Sequence, residues 1–265
     1  MRRLAICVIF LAVSSGCTVN RFWGPSREQV LERILPSAVQ IIIERDGQRF
    51  RSGSGVAIAA RPSALASLGM MDCFVLTSGH TLSRRSSQDR IFVLFGRHRE
   101  AGSKAPATVL AYSETEDVDL ALLRAHTNEC SPAEFGRPPG LGDPIWVLAY
   151  PWGRNLTLVG GIVSQVNADP PADRDTAPRL IVDASVSYGS SGGGVYDARD
   201  GHLVGVVEGY RTARVSFKGE ASQHYLDVPV PGETYVVPLA DIQRFLIEAD
   251  QKGLVGELRA TAKAL

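Results

Sequence analysis

Neither sign of charge is in excess in this chain. Lys and Arg number 28, Asp and Glu number 28, and formal net charge is zero. There is no basic cluster either, which argues against a nucleic-acid partner. No P-loop, no H-E-x-x-H pair and no C-x-x-C spacing occurs, so no metal and no cofactor is expected. Cysteine is sparse, four in 265 residues. Internal repeats and low-complexity tracts are absent. What remains is a composition of ordinary globular type, 45% hydrophobic and 21% charged. It suffices to bury a full core as one β-rich domain or two small ones.

The first residues read as an export signal. Arg2 and Arg3 precede an apolar run from Leu4 to Val13, then Ser14-Ser15-Gly16 lead to Cys17. The run is too short to span a bilayer as a helix. Gly16-Cys17 resembles the end of a bacterial lipobox, although Ser14 stands where that motif usually has Leu. The expectation is a lipid-anchored protein attached through Cys17 and facing the periplasm or cell exterior, with plain secretion as the alternative. Loss of Cys7 with the signal and lipidation of Cys17 would leave Cys73 and Cys130, either as a disulfide or as two buried thiols.

Residues 1–17 thus form the signal and lipobox, 18–25 a tether, and 254–265 a C-terminal tail. Ser26 should cap a short amphipathic helix over 26–35, with Gln29 in the capping-box position and Pro36 as its stop. The pattern then changes to short apolar runs separated by Gly, Pro, Ser and Asp. Six candidate strands lie in 39–125: Val39–Glu44, Ser54–Ala59, Cys73–Thr77, Ile91–Phe95, Ala107–Tyr112 and Asp119–Arg124. After a Pro- and Gly-rich linker, six more lie in 145–238: Ile145–Ala149, Leu156–Val166, Leu180–Ser185, Gly194–Asp197, Leu203–Glu208 and Thr234–Val237. Residues 169–179 and 211–233 read as long loops. Leu239–Glu248 reads as a closing helix. The fold class is all-β, two packed six-stranded antiparallel barrels with short terminal helices.

Three polar residues stand out against these runs. Ser191 lies in Gly189-Ser190-Ser191-Gly192-Gly193, where glycines let backbone N–H groups converge on one point. His80 ends the apolar strand Phe74–Thr77. Asp119 opens the apolar run Leu120–Leu123, so its carboxylate is partly buried and needs a partner; Asp117 competes for that role. The order His80, Asp119, Ser191 is one of three orders found among serine hydrolases with such a triad. The serine motif also fits G-x-S-x-G, but three consecutive glycines are a poor start for the helix that a nucleophile elbow requires.

In this order the motifs resemble the HtrA/Deg type of trypsin-like serine endopeptidase. The residues that carry the likeness are Gly53-Ser54-Gly55-Val56, Val75-Leu76-Thr77-Ser78-Gly79-His80, Asp119-Leu120-Ala121-Leu122-Leu123-Arg124, Tyr150-Pro151-Trp152-Gly153, Gly161-Ile162-Val163-Ser164, Asp183-Ala184 and Gly189–Gly193, Leu203–Val206 and Tyr235–Pro238. Gly79 departs from the family's usual Ala and Ser190 from its usual Asn. No PDZ domain is expected after the protease domain, 26–253. The resemblance implies a chymotrypsin-like fold and Ser-His-Asp peptide hydrolysis, with protein or peptide substrates. His80, Asp119 and Ser191 would be catalytic, and the amides of Gly189 and Ser191 would form the oxyanion hole. Ser185 would lie at the base of the primary pocket, and Val206, Val207 and Glu208 would form the substrate-pairing strand. Ser185 carries no charge, so a small or medium apolar primary residue is expected. On this topology Cys73 and Cys130 reach the same end of the first barrel and should pair. The alternatives are a non-catalytic peptide-binding protein on the same fold and an esterase of the α/β-hydrolase kind.

Overall fold

The computed structural model describes residues 24–63, 69–96, 102–115, 118–168, 179–218 and 223–251. The signal segment with Cys17, the competing Asp117 and the tail 254–265 lie outside the described residues.

The first barrel comprises β1 (Ala38–Arg45), β2 (Gln48–Pro62), β3 (Met71–Thr77), β4 (Arg90–Phe95), β5 (Ser103–Glu114) and β6 (Asp119–Thr127). It closes in the order β1-β2-β3-β6-β5-β4. The second comprises β7 (Pro144–Ala149), β8 (Thr157–Ala168), β9 (Arg179–Val182), β10 (Gly194–Asp197), β11 (Leu203–Lys218) and β12 (Gln223–Pro238). It closes in the order β10-β11-β12-β9-β8-β7. All pairings between named strands are antiparallel.

The strands nearest the seam between the barrels are apolar on both faces, because each face meets a different core. From β3, Cys73 and Val75 point into the first barrel, whereas Phe74 and Leu76 join the seam. From β6, Ala121 and Leu123 point inward while Leu120 and Leu122 meet the seam. Val204 and Val207 of β11 fill the second barrel, and Leu203 and Val206 the seam. This is why these segments read as continuous apolar runs rather than alternating ones.

Short helices cover the seam. In α1 (Arg27–Ile34) the Gln29 amide donates to Ser26 Oγ at 3.2 Å, and the Ser26 amide donates to Gln29 Oε1 at 2.8 Å. This reciprocal cap satisfies two of the helix's orphan donors. Val30 and Ile34 pack into the seam. α2 (Leu239–Gln251) adds Ile242, Phe245 and Leu246 from the other end of the chain.

One reading is corrected. Of residues 211–233, the described ones, 211–218 and 223–233, are strand and not loop: β11 and β12 run on past the barrel as a paired arm, from Thr212↔Pro229 to Lys218↔Gln223. Arg214 and Asp227 are bonded across it at 2.8 Å. The arm buries little, so Val215, Phe217 and Leu226 remain about half exposed, and no buried face marked it as strand. Pro229 and Pro231 are tolerated because strand edges that face solvent have no ladder bond to lose there.

Cys73 and Cys130 form a disulfide with Cα atoms 5.7 Å apart, tying β3 to the segment after β6. It spans a separation of 57 residues, for which loop-closure entropy gives about 4 kcal/mol. Cys73→Ser with Cys130→Ser should lower the unfolding free energy in denaturant by up to about that amount. A change below about 1 kcal/mol would show that the bridge contributes little.

Candidate active site

β3 delivers His80. Its last residue, Thr77, donates from Oγ1 to the Ser54 carbonyl of β2 at 2.7 Å, and Ser78 Oγ donates to the Val207 carbonyl of β11 at 2.8 Å. A 3-10 turn over Gly79–Leu82 then carries the imidazole out of the strand. Arg51 holds the outside of that turn through the His80 carbonyl at 2.9 Å.

Asp119, the first residue of β6, spends both carboxylate oxygens on His80. Oδ1 accepts from the His80 backbone amide at 2.7 Å, and Oδ2 accepts from ring Nδ1 at 2.5 Å. A carboxylate only accepts, so the proton sits on Nδ1 and Nε2 keeps its lone pair. Asp119 is 7% exposed, and these two bonds are what a buried carboxylate requires. Burial pushes the imidazole pKa down. The hydrogen bond and charge of Asp119, with the charges of Glu208 and Glu114, together outweigh that, and the net result is above the ordinary imidazole value.

Gly79 permits this arrangement. A Cβ there would collide with the Ser113 carbonyl oxygen of β5 and come within 2.9 Å of Asp119 Oδ1. The related Ala therefore does not fit this chain without a shift of β5 or of the carboxylate. Gly79→Ala should cut peptide turnover about ten- to hundred-fold, the usual effect of misplacing a reacting group by around an ångström. Wild-type rates in that variant would contradict this reading of the contact.

The serine loop is pinned to the first barrel. The Ser54 amide donates to the Ser191 carbonyl at 2.9 Å, and Ser54 Oγ donates to the Gly189 carbonyl at 2.7 Å. The Tyr150 amide donates to the same Oγ at 2.7 Å. Gly192 lies directly on Ser54 and Thr77 with no room for a Cβ, and its φ is +87°. Ser191 therefore sits against the end of the strand that delivers His80. Ser191 Oγ makes no hydrogen bond among the described residues.

Backbone pairing in this loop is selective. The amides of Ser190, Gly192 and Gly193 donate to the carbonyls of Ser187, Val207 and Ser190 at 3.0, 2.8 and 2.9 Å. Those of Gly189 and Ser191 take no partner among the described residues. The Tyr188 carbonyl accepts from the Trp152 amide at 2.7 Å. In the trans peptide 188–189 the carbonyl and N–H point opposite ways, so that bond turns the Gly189 N–H away from Trp152. After Gly193 the chain enters strand β10, not the helix that a nucleophile elbow needs.

Of the three residues read as the substrate-pairing strand, two are closed off and Glu208 stands at an open edge. Val206 and Val207 are fully buried in two cores. The backbone of Val207 is already used: its amide donates to the Gly193 carbonyl and its carbonyl accepts from the Gly192 amide, both at 2.8 Å. Glu208 turns its carboxylate to the buried Arg179, whose Nε donates to it at 2.6 Å. The edge of β11 left open beside Ser191 starts at Glu208 and runs through Tyr210, because β10 pairing ends at Val206. Ser185 is exposed just past the end of β9. The Arg179–Glu208 pair and the run of this edge on to Tyr210 carried no sequence signal.

A family model described as a trypsin-like peptidase domain matches residues 53–206. The chain belongs to the trypsin-like peptidase family. Within it, the likeness is to the HtrA type. The chain is 26% identical over 195 residues to a "Serine protease HtrA-like" of Staphylococcus aureus, covering 69% of this chain and 22% of that protein. It is 29% identical over 177 residues to a "Probable periplasmic serine endoprotease DegP-like" of Marinomonas sp., covering 66% of this chain and 33% of that protein. The chain thus spans a third or less of the length of these two relatives. Among solved structures, a serine endoprotease from Yersinia pestis matches with TM-score 0.62 at 20% identity, over 87% of this chain and 69% of that one. An HtrA-type protease solved with a tripeptide matches with TM-score 0.63 at 18% identity, over 87% and 65%. At these identities the structural likeness concerns the fold.

Proposed function

We propose that the protein is an exported serine endopeptidase that uses His80, Asp119 and Ser191 as a catalytic triad. The observation that carries the reading is the selective pairing of the serine loop. Within Gly189–Gly193 the Gly189 and Ser191 amides take no partner among the described residues, beside a serine hydroxyl and an imidazole whose Nε2 is free to accept a proton.

Ser191 Oγ attacks the scissile carbonyl while His80 Nε2 takes its proton. Asp119 holds the Nδ1–H tautomer and stabilises the imidazolium that forms. The carbonyl oxygen becomes an oxyanion between the Gly189 and Ser191 amides, each such donor being worth about 2.7–4 kcal/mol. The tetrahedral intermediate collapses when His80 returns the proton to the leaving amine. Water then attacks the acyl-enzyme by the same route. A Ser–His hydrogen bond that is long before substrate arrives is usual, because such contacts tighten in the complex.

The substrate lies extended and adds as a strand to the open β11 edge from Glu208 to Tyr210. Ser185, exposed past the end of β9, brings no carboxylate for Lys or Arg, which favours a small or medium apolar residue in the primary pocket. An edge that must be met by backbone bonds selects unfolded or flexible polypeptides over folded ones. Export through the N-terminal signal agrees with the periplasmic name of the Marinomonas relative, and a lipid on Cys17 would hold the enzyme at the membrane. Several acyl chains there would suffice, each buried methylene adding about 0.8 kcal/mol. The test is digestion of denatured casein by the purified protein. Fragments that appear within an hour and disappear after organophosphate treatment are expected; intact casein after a day would overturn the reading.

A further inference from the structure

Three aromatic rings from separate parts of the chain meet beside the serine loop. Trp152 and Tyr188 have centroids 5.2 Å apart, and Tyr188 and Tyr210 have centroids 5.7 Å apart in an edge-to-face contact. Trp152 and Tyr188 are each 63% exposed. Trp152 also holds a left-handed backbone, with φ at +57°. That is unfavourable for a bulky side chain and persists only where its surroundings impose it. The ring of Tyr188 is one residue from Gly189 and three from Ser191, and Tyr210 lies on the open β11 edge.

We propose that Trp152, Tyr188 and Tyr210 form a shelf outside the primary pocket that selects polypeptides with a large apolar or aromatic side chain within two residues of the scissile bond. The proposal rests on the peptidase reading and names its substrate class. Exposed contiguous apolar surface beside a reactive centre marks a binding surface, and aromatic faces take aromatic and aliphatic side chains in offset or edge-on contact. A cationic side chain would need a carboxylate nearby. The two carboxylates adjoining Tyr210 in the strands are already paired, Glu208 with Arg179 at 2.6 Å and Glu233 with Arg211 at 2.9 Å. No cation sits over the three rings among the described residues. The rings themselves carry no charge, and Arg49, whose Nη1 donates to the Gly153 carbonyl beside Trp152 at 2.8 Å, disfavours a cationic side chain, so the selectivity is for apolar bulk.

The test is a digest of a denatured proteome with cleavage sites read by mass spectrometry. Phe, Tyr, Trp, Leu and Met within two residues of the cut should be favoured over Ala by about tenfold, as apolar pockets discriminate. Tyr188→Ala should reduce that ratio to about threefold or less, and Tyr188→Phe should retain it. A ratio divides out any general loss of turnover. No preference in the wild type, or an unchanged one in Tyr188→Ala, overturns the shelf. To separate this outcome from failure of the peptidase reading, fluorescein-labelled peptides with Phe or with Ala are bound to the Ser191→Ala protein and followed by polarisation. Tighter binding of the Phe peptides without cleavage by the wild type keeps the shelf and removes the peptidase. Cleavage without preference removes the shelf and keeps the peptidase, and absence of both removes both.

Discussion

Ser191→Ala should reduce turnover of a casein or peptide substrate by about a millionfold, the loss typical of removing the nucleophile from a triad. The size follows from the geometry. Gly189 and Ser191 amides come from the backbone and survive the change, so a residual acceleration of about 10³–10⁴ over water remains from the oxyanion hole and binding. Folding should not suffer, because Ser191 Oγ makes no hydrogen bond among the described residues. An equal melting temperature with vanishing activity is the expected pair of results. Retention of more than about one per cent of wild-type turnover would show that another group attacks the carbonyl.

Asp119→Asn should cost about 10⁴-fold in kcat. With its oxygen kept on the His80 backbone amide, the Asn side chain would present its NH₂ to Nδ1, where Oδ2 now accepts. The ring would then favour the tautomer with its proton on Nε2, which cannot accept from Ser191. The pH profile gives a second readout. His80 must be neutral to act as base, and its pKa is raised: burial lowers it, and Asp119, the largest of the raising influences, together with Glu208 and Glu114 more than offsets burial. Wild-type kcat/KM should therefore fall as pH drops through a value above the ordinary imidazole pKa of about 6.5. In Asp119→Asn burial remains and the counter-charge is gone, so the acid limb should move to lower pH. The same raised pKa stabilises the fold most fully below the ordinary imidazole value. That contribution is lost as pH rises through the folded-state pKa. An acid limb in the same place in both proteins would contradict the assignment of Asp119 as the dominant partner.

Much of this architecture was legible because the residues obeyed strong local rules. Ser26 and Gln29 announced the α1 cap by spacing alone. Phe74–Thr77 and Leu120–Leu123 read as strands although apolar on both faces, because punctuation by Gly, Pro and Asp kept them short. Asp119 drew notice as an acid opening an apolar run, and the structure gives its carboxylate two bonds to His80. The arm formed by β11 and β12 was missed since its exposed residues show no buried face, and Pro229, Pro231 and Gly232 imitate a loop. Val206 and Val207 read as part of an open strand edge, with Glu208. Only the three-dimensional pairing reveals that Val207 has given its amide and carbonyl to Gly193 and Gly192. The ring cluster of Trp152, Tyr188 and Tyr210, and the clamp of Arg179 on Glu208, join distant parts of the chain and leave no periodicity to detect. Gly79 looked like a trivial departure from Ala until the Ser113 carbonyl was seen to occupy the space of a Cβ.

The most direct measurement is the intact mass of the protein after exposure to a fluorophosphonate, with the adduct mapped by peptide sequencing. A single adduct on Ser191, formed faster as pH rises through the His80 pKa and absent from Ser191→Ala, is the expected result. An unmodified mass at pH 8, or an adduct carried by a different residue, would contradict a hydroxyl activated by His80 and Asp119.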